Sequence, residues 1–298
     1  MTTVLLVRHG LTAATGHTLS GWTPGIPLDD RGRAQARALA ARLARLPLDA
    51  IVTSPLDRCR QTAEIIAAAS GGGAPGQPGG GAGGEPGSAP GQPGSGAGGA
   101  AGIRVDERLG ECRYGDWTGK PLRKLARDPL WRVVQAHPSA ARFPGGESML
   151  DTQHRAVAAV RDWNAALGPR ATYLICSHGD VIKGIIADCL GLHLDQSQRI
   201  QADPCSLTVI RYTTLRPFLV RMNDTGGGVA DLMPGPARRG TGRAGDSDAV
   251  VGGGAGVDPS GRREADPAGR GGQDPEQDTV QARGRAPAVP VRPADARG

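Results

Sequence analysis

The sequence is poor in aromatic residues and lacks the long apolar runs of membrane proteins. Its 298 residues include only 4 Trp, 3 Tyr and 2 Phe. No run approaches the roughly 18 apolar residues that are needed to cross a bilayer. The N-terminus also lacks a basic leader followed by an apolar stretch and a cleavage site, so no secretory signal is expected. These absences predict a cytoplasmic protein without membrane contact.

Paired cysteines are also lacking. The five cysteines form no CxxC pair, and their number is odd. A disulfide framework or a structural zinc site normally needs an even count or metal-ligand spacing, so reduced thiols are expected. The sequence predicts no metal site.

Two segments have too few apolar residues to form a core. Residues 71–102 are rich in glycine, contain a direct repeat and have no aromatic side chain. Residues 226–298 lack aromatic residues and lysine, and contain as many arginines as acidic residues. Such compositions bury too little surface to offset the entropy of ordering. We therefore predict one domain over residues 1–225, interrupted by a disordered insertion at 71–102, and a disordered tail at 226–298. The near-neutral tail argues against a basic nucleic-acid-binding arm.

Two short apolar runs, residues 4–7 and 173–176, are each followed closely by a histidine and a glycine. Continuous apolar runs of this length are typical of parallel strands that are covered on both faces. Further strands are predicted at 49–53, 206–212 and 216–222. Because strands alternate with helical patterns, the fold class is predicted to be α/β, a three-layer α/β/α sandwich with a mostly parallel central sheet.

Five helices are predicted between these strands. Asp30 is expected to cap the first, whose apolar spacing continues to Leu46 before Pro47 ends it. Pro55 stands in the first turn of the second helix. The remaining helices are predicted at 121–136, 147–167 and 179–190.

Both histidines follow predicted strands, so they are expected at one edge of the sheet. Ligands of open parallel sheets bind just beyond the carboxyl ends of the strands. His9 there stands beside Arg8, and His178 stands between Ser177 and Gly179. Imidazoles and a guanidinium that meet at one site indicate binding of an anion, and phosphoryl chemistry is the leading hypothesis.

Five sequence blocks in a fixed order carry a resemblance to a known family. The first block reads LVRHGxT at residues 6–12 and continues with PLxxxGxxQA at 27–36. The other four are SPLxRxxQTA at 54–63, LxExxYGxWxG at 109–119, PGGES at 144–148 and SHG at 177–179. The chain resembles the histidine phosphatase superfamily, the phosphoglycerate mutase-like proteins, on its phosphatase-type branch. The resemblance implies the phosphoglycerate mutase-like fold over the predicted domain.

The resemblance also implies catalytic roles. His9 would attack phosphorus and form a phosphohistidine, with a hydrogen bond from its other ring nitrogen to a backbone carbonyl. Arg8 and Arg58 would grip phosphate oxygens, and His178 would donate to the transferring group. Glu111 would protonate the leaving group. No metal or other cofactor is required, because cationic side chains stabilise the charge.

Further residues would complete the site. The Gly179 amide at a helix start would donate to phosphate, as would the Thr15 hydroxyl. Asp180 is the alternative proton donor. Cys59, Cys112 and Cys176 each lie within two residues of a predicted site residue. A redox switch stays open there, although buried filler is favoured because nothing in the sequence indicates a low thiol pKa.

The expected activity is that of a phosphoric monoester hydrolase that acts on a small-molecule phosphate ester. A phosphomutase is the alternative, but the Arg-Arg-rich segment of mutases is missing after Glu111. A non-catalytic phosphate-binding protein on the same fold is the third possibility. Three arginines expected near the site, Arg104, Arg108 and Arg113, suggest a strongly anionic ester. The sequence leaves the substrate and the oligomeric state open.

Overall fold

A six-stranded sheet forms the centre of the fold in a computed structural model, which describes residues 1–70 and 102–226. The predicted disordered insertion and tail lie outside the described residues, apart from Gly102 and Gly226. The six strands are β1 (Thr2–Arg8), β2 (Ala50–Thr53), β3 (Ile103–Val105), β4 (Thr172–Ser177), β5 (Leu207–Tyr212) and β6 (Pro217–Asp224).

The strand order β3-β2-β4-β1-β5-β6 gives a mostly parallel sheet with an antiparallel end. β4 pairs in parallel with both β1 and β2, whereas β5 is antiparallel to β1 and to β6. In this register Arg8 lies opposite Ser177, and Thr53 lies opposite Cys176. The carboxyl ends of β1, β2 and β4 therefore meet at one edge, as the sequence predicts.

Helices cover both faces of the sheet and give the predicted three layers. Leu5 and Val7 of β1 pack with the helices on one face, and Val4 and Leu6 pack with those on the other. Each fully buried side chain of this size contributes about 1.5–3 kcal/mol. The helices are α1 (Asp30–Leu43) and α2 (Asp57–Ser70) on the first face, α5 (Met149–Leu167) and α6 (Gly179–Leu190) on the second, and the short α3 (Leu122–Leu125) and α4 (Pro129–Ala136) in the long connection before α5.

Helix ends are where the structure differs from the sequence-based expectations. Asp29, not Asp30, caps α1, because its extended backbone lets its carboxylate accept the Gly32 amide at 2.7 Å. The helix ends at Leu43, which leaves Leu46 half-exposed. The helix predicted at 121–136 is two helices, since Asp128 caps a new one with proline at its first position.

Four of the nine aromatic residues form a separate cluster within the connection between β3 and α5. Tyr114 and Phe143 meet edge to face at 4.9 Å between ring centroids, and Trp117 packs on Phe143 at 5.3 Å. Trp131 stacks on Trp117. This cluster holds the segment that follows Glu111, so it fixes one wall of the candidate site.

The connection between α2 and β3 leaves the sheet at the opposite edge. Because α2 starts at the carboxyl end of β2, its last residue, Ser70, lies toward the amino ends of the strands, where β3 begins at Ile103. The predicted insertion at 71–102 is therefore attached away from the edge that carries the histidines. None of the helices in the described part of the chain is long and apolar enough to cross a membrane.

Candidate active site

A cleft opens at the carboxyl edge of the sheet. Its wall includes Arg8, His9, Thr15, Arg58 and Glu111, five of the residues that the sequence predicts for the site. They come from the end of β1, the loop after it, the start of α2 and the segment after β3. The topology thus gathers residues that are up to a hundred positions apart.

His9 is buried at the end of β1 and holds a single tautomer. Its Nδ1 lies 2.8 Å from the carbonyl oxygen of Gly10, which confirms the predicted hydrogen bond. Since a carbonyl only accepts, Nδ1 carries the proton and Nε2 keeps its lone pair. Burial lowers the pKa of His9 well below its usual value, and the charges of Arg58 and Arg8 lower it further. The ring is therefore neutral and nucleophilic at ordinary pH.

The loop that follows His9 is tied to both helices of the adjacent layer. The Gly10 amide donates to Thr62 Oγ1 of α2, and the Leu11 amide donates to Gln35 Oε1 of α1, both at 3.2 Å. A β-carbon on Gly32 would lie 2.0 Å from the Leu11 carbonyl oxygen, so only glycine fits there. Gly32, Gln35 and Thr62 all lie in the sequence blocks that resemble the family, but the sequence alone indicated no role for them.

Arg8 and Arg58 are buried side chains that both line the cleft. Arg8 Nη1 donates to the Ala202 carbonyl, and Arg58 Nη2 donates to the Gly21 carbonyl, both at 2.8 Å. Each side chain is thereby held in one orientation before a ligand arrives, which is how preorganised charge stabilisation works.

His178 is fully buried behind this wall, with its ring 5.3 Å from that of His9. Its Nε2 lies 2.8 Å from Ser54 Oγ, and its Nδ1 lies 3.3 Å from Arg58 Nη2. Burial and the neighbouring charge of Arg58 lower its pKa well below the usual value. Ser54 is the first residue of the SPLxRxxQTA block, but the sequence did not predict its hydrogen bond to His178.

Glu111 is a buried carboxyl group at the cleft wall. The Cys112 amide donates to its Oε1 at 3.0 Å, and its Oε2 lies 3.8 Å from His178 Nδ1. Burial above all, and then the negative charge of Asp180, raise the pKa of Glu111 to about 7. A carboxyl group with such a pKa can both donate and accept a proton near neutral pH.

Arg155 of α5 clamps the backbone that carries Glu111. Its guanidinium donates to the carbonyls of Arg108, Gly110 and Glu111 at 2.6–2.9 Å. It also forms a two-pronged ion pair with Glu147, at 2.6 and 3.1 Å. The sequence analysis did not identify Arg155, because a single arginine in a helix gives no signal of its own.

Two predicted ligand donors lie less directly on the cleft. Thr15 is on the wall, but its hydroxyl oxygen already accepts the Thr12 amide at 3.0 Å. Gly179 is the first residue of α6 and does not line the cleft.

Asp180, the alternative proton donor, is buried behind Tyr114, whose phenol donates to Asp180 Oδ2 at 2.7 Å. Asp180 therefore does not reach a leaving group in the cleft.

The three additional arginines do not join the site. Arg104 lies over the ring of Trp163 at 5.6 Å, and Arg113 lies over the ring of Trp22 at 3.9 Å. Arg108 pairs with two aspartates outside the cleft. None of the three lines the cleft, so the expectation of a strongly anionic ester loses its basis. Stacking on half-buried tryptophan rings explains why Arg104 and Arg113 turn away from the cleft.

The cysteines behave as buried filler. All five are free and buried. Burial raises the pKa of Cys112 and Cys176 well above the usual thiol value. Cys59 Sγ lies 3.4 Å from His178 Nε2, but its surroundings are apolar on the opposite side. Burial disfavours the thiolate at Cys112 and Cys176, which argues against a redox switch at these two residues. In the described residues, no group of three or more His, Cys, Asp or Glu side chains could hold a metal ion.

Comparison with known proteins agrees with this geometry. The family model of the histidine phosphatase superfamily (branch 1) matches residues 4–77 and 95–225. A relative, the probable phosphoglycerate mutase GpmB of Cronobacter sakazakii, is 29% identical over 217 residues, which cover 71% of this chain and 86% of that protein.

Solved structures share the fold. YhfR of Bacillus stearothermophilus superimposes with a TM-score of 0.61 at 28% identity, covering 75% of this chain and 98% of that one. A mycobacterial glucosyl-3-phosphoglycerate phosphatase gives a TM-score of 0.59 at 22% identity, covering 74% and 98%. At that identity the second likeness shows the fold alone.

Proposed function

The chain belongs to the histidine phosphatase superfamily, and we propose that it is a metal-independent phosphomonoesterase that works through a phosphohistidine at His9. The observation that carries the proposal is the convergence of four groups in one cleft. A neutral His9 with a free Nε2 lies there with two preoriented guanidinium groups and a buried carboxyl group whose pKa is near 7. This set contains a nucleophile, an anion clamp and a proton donor.

In the first step the phosphoryl group moves from the substrate to His9. The Nε2 lone pair attacks phosphorus while the bond from phosphorus to the ester oxygen breaks. Arg8 and Arg58 neutralise the charge on the phosphoryl oxygens, which is the main requirement of this reaction. Glu111 gives its proton to the departing oxygen, so the product leaves as an alcohol.

In the second step water releases the phosphoryl group. Glu111, now a carboxylate, takes a proton from water as the water oxygen attacks phosphorus. The bond from phosphorus to nitrogen breaks, and its electron pair returns to Nε2 of His9. The Gly10 carbonyl keeps the Nδ1 proton in place throughout, so the same tautomer is ready for the next cycle.

His178 has a supporting role in this scheme. Its Nδ1 faces Arg58 Nη2 and Glu111 Oε2, at 3.3 and 3.8 Å. A second proton on this ring is favoured by a bound phosphate dianion, because opposite charge raises the pKa of an imidazole. The protonated ring would then add positive charge behind the wall of the cleft, while its Nε2–H stays on Ser54 Oγ.

A phosphomutase is the second candidate, because the curated relatives carry the name of phosphoglycerate mutase. A mutase must hold a second anionic group of its substrate while the phosphoryl group returns. In the described part of the chain, the only cationic side chains on the cleft wall are Arg8 and Arg58, and the rest of the wall is largely hydroxyl groups, glycine and leucine. Two guanidinium groups suit one phosphate, so hydrolysis is favoured.

The test is phosphate release from p-nitrophenyl phosphate, alkyl phosphates and phosphoglycerates, with EDTA present throughout. We expect hydrolysis that EDTA does not inhibit, together with an acid-labile and alkali-stable phosphoenzyme after rapid quenching. Phosphoryl exchange between 2- and 3-phosphoglycerate without net release would instead establish the mutase. Tight binding of inorganic phosphate without either reaction would establish the binding protein.

A further inference from the structure

A buried ion pair lies directly behind the cleft and has no part in the reaction described so far. Asp180 and Lys183 stand one turn apart on α6 and are 3% and 5% exposed. Asp180 Oδ1 is 4.0 Å from Lys183 Nζ, which also donates to Gln198 Oε1 at 3.2 Å. Burial of two charges costs several kcal/mol per ion, and such a pair is often no more stable than apolar residues. A role in stability alone therefore explains it poorly.

The side chain of Tyr114 connects this pair to the cleft. Tyr114 lines the cleft beside Glu111, and its phenol donates to Asp180 Oδ2 at 2.7 Å. The opposite side of its ring is fixed by Phe143, edge to face. The hydrogen bond and the ring contact together give Tyr114 one position, with the charge of Asp180 immediately behind it.

We infer that Asp180 and Lys183 are a positioning pair for the acid of the proposed reaction: they hold Tyr114 against the cleft and set the charge that Glu111 experiences. The inference rests on the proposed function. The negative charge of Asp180 opposes ionisation of Glu111, and Lys183 is a buried cation that pairs with Asp180 at 4.0 Å. The second largest cause of the raised pKa of Glu111, after burial, is Asp180.

Other charges around Glu111 act in the opposite direction. Arg58 and Arg8 lower the pKa of Glu111, as does the hydrogen bond from Cys112. Without Asp180, these influences would leave burial alone to keep the carboxyl group protonated. The titratable and charged groups that face Glu111 from the elements packed around it are Arg8 of β1, His9 directly after β1, Arg58 of α2, Cys112 and Tyr114 of its own segment, Arg155 of α5, His178 after β4, and Asp180 and Lys183 of α6.

The experiment is the pH dependence of kcat/KM for an alkyl phosphate, whose poor leaving group requires the acid. Asp180→Asn removes the charge but keeps an oxygen that accepts the Tyr114 phenol. We expect the alkaline limb to move to lower pH by about one unit. Tyr114→Phe keeps both charges, so it should lower kcat and leave the limb in place. Asp188→Asn is the matched control, because Asp188 lies on the same helix and pairs at the surface with Arg161.

A second variant covers the case in which Asp180→Asn leaves Lys183 unpaired and fails to fold. The double variant Asp180→Asn, Lys183→Met buries no unpaired charge and should also move the limb to lower pH. If the folded variants show the same alkaline limb as the wild type, the inference is overturned. Hydrolysis by the wild type would still support the proposed function in that case. If the wild type hydrolyses nothing, the proposed function fails. The Glu111 carboxyl titration, followed by ¹³C NMR, then tests the pair alone, and equal midpoints in wild type and double variant would overturn it.

Discussion

Arg58 Nη2 lies 3.3 Å from His178 Nδ1 and donates at the same time to the Gly21 carbonyl at 2.8 Å. Because a guanidinium group only donates, Nδ1 accepts, and the neutral ring carries its proton on Nε2, toward Ser54. One arginine thus joins α2, the loop before α1 and the end of β4. It sets the tautomer of the second histidine as well as contributing charge to the cleft.

This arrangement predicts that Arg58→Lys is not a conservative change. Lysine keeps the charge but loses the planar fork that reaches both partners. We expect kcat/KM for phosphate esters to fall about 100-fold, with a higher KM and a lower kcat. Arg60→Lys, an exposed arginine on the same helix, should change neither parameter by more than about twofold. An equal loss in both variants would show that the geometry of Arg58 is unimportant.

His9→Ala should abolish turnover and leave the fold intact. The nucleophile is lost, so kcat should fall by a factor of about a thousand or more. No phosphoenzyme should form after rapid quenching, and the melting temperature should change little. His154→Ala removes an exposed histidine from α5 and should keep full activity. Substantial residual hydrolysis by the His9 variant would contradict the assignment of the nucleophile.

The pH dependence of kcat/KM should reflect the ionisation of Glu111. Its pKa of about 7 means that the acid form is lost as pH rises, so kcat/KM for an alkyl phosphate should decline above about pH 7. Glu111→Gln should remove that decline and lower kcat/KM for alkyl phosphates about 100-fold. p-Nitrophenyl phosphate has a good leaving group and should lose much less. An equal loss for both substrates would argue against a proton donor at this position.

The same carboxyl group should affect stability with a defined sign. The folded protein holds the Glu111 proton up to about pH 7, whereas an unfolded chain releases it near 4.5. Between these values the folded state binds more protons, so this group lowers the free energy of unfolding as pH rises. Glu111→Gln lacks the effect. Its melting temperature, relative to that of the wild type, should therefore be higher at pH 8 than at pH 5, and a constant difference would refute the raised pKa.

Arg155→Met should impair both stability and catalysis. The change removes the Arg155 hydrogen bonds to three carbonyls and the ion pair with Glu147, which should cost about 2–4 kcal/mol of unfolding free energy. Activity should fall further than the loss of folded protein explains, because the Glu111 segment is no longer held. Arg161→Met, two turns along α5 at the surface, should cost less than about 0.5 kcal/mol. Normal kcat in folded Arg155→Met would show that the clamp is dispensable.

The sequence predicted the layers of the fold more accurately than it predicted helix ends. The runs at 4–7 and 173–176 indicated buried parallel strands, and the structure places both at the centre of the sheet. Periodicity continued past the end of α1 to Leu46, since sequence spacing does not show where the chain leaves the helix. The choice between Asp29 and Asp30 depends on backbone angles that neither residue type specifies.

The directions in which side chains point could not be predicted from the sequence. Arg113 is two positions from Glu111, yet it turns outward to lie over Trp22. Arg155 is far along the chain, yet it holds the Glu111 backbone. Both outcomes depend on long-range packing that spacing does not encode. The disorder predicted for 71–102 and 226–298 and the cytoplasmic location stay predictions.

The attachment of the 71–102 connection, at the edge of the sheet away from the cleft, has a practical consequence. Ser70 and Ile103 end elements whose other ends face the catalytic edge. Fluorescent reporters, affinity tags or whole guest domains spliced between these residues would project from the back of the enzyme. We therefore expect this connection to be a suitable site for immobilisation or labelling, because an insertion there leaves the cleft open to substrate.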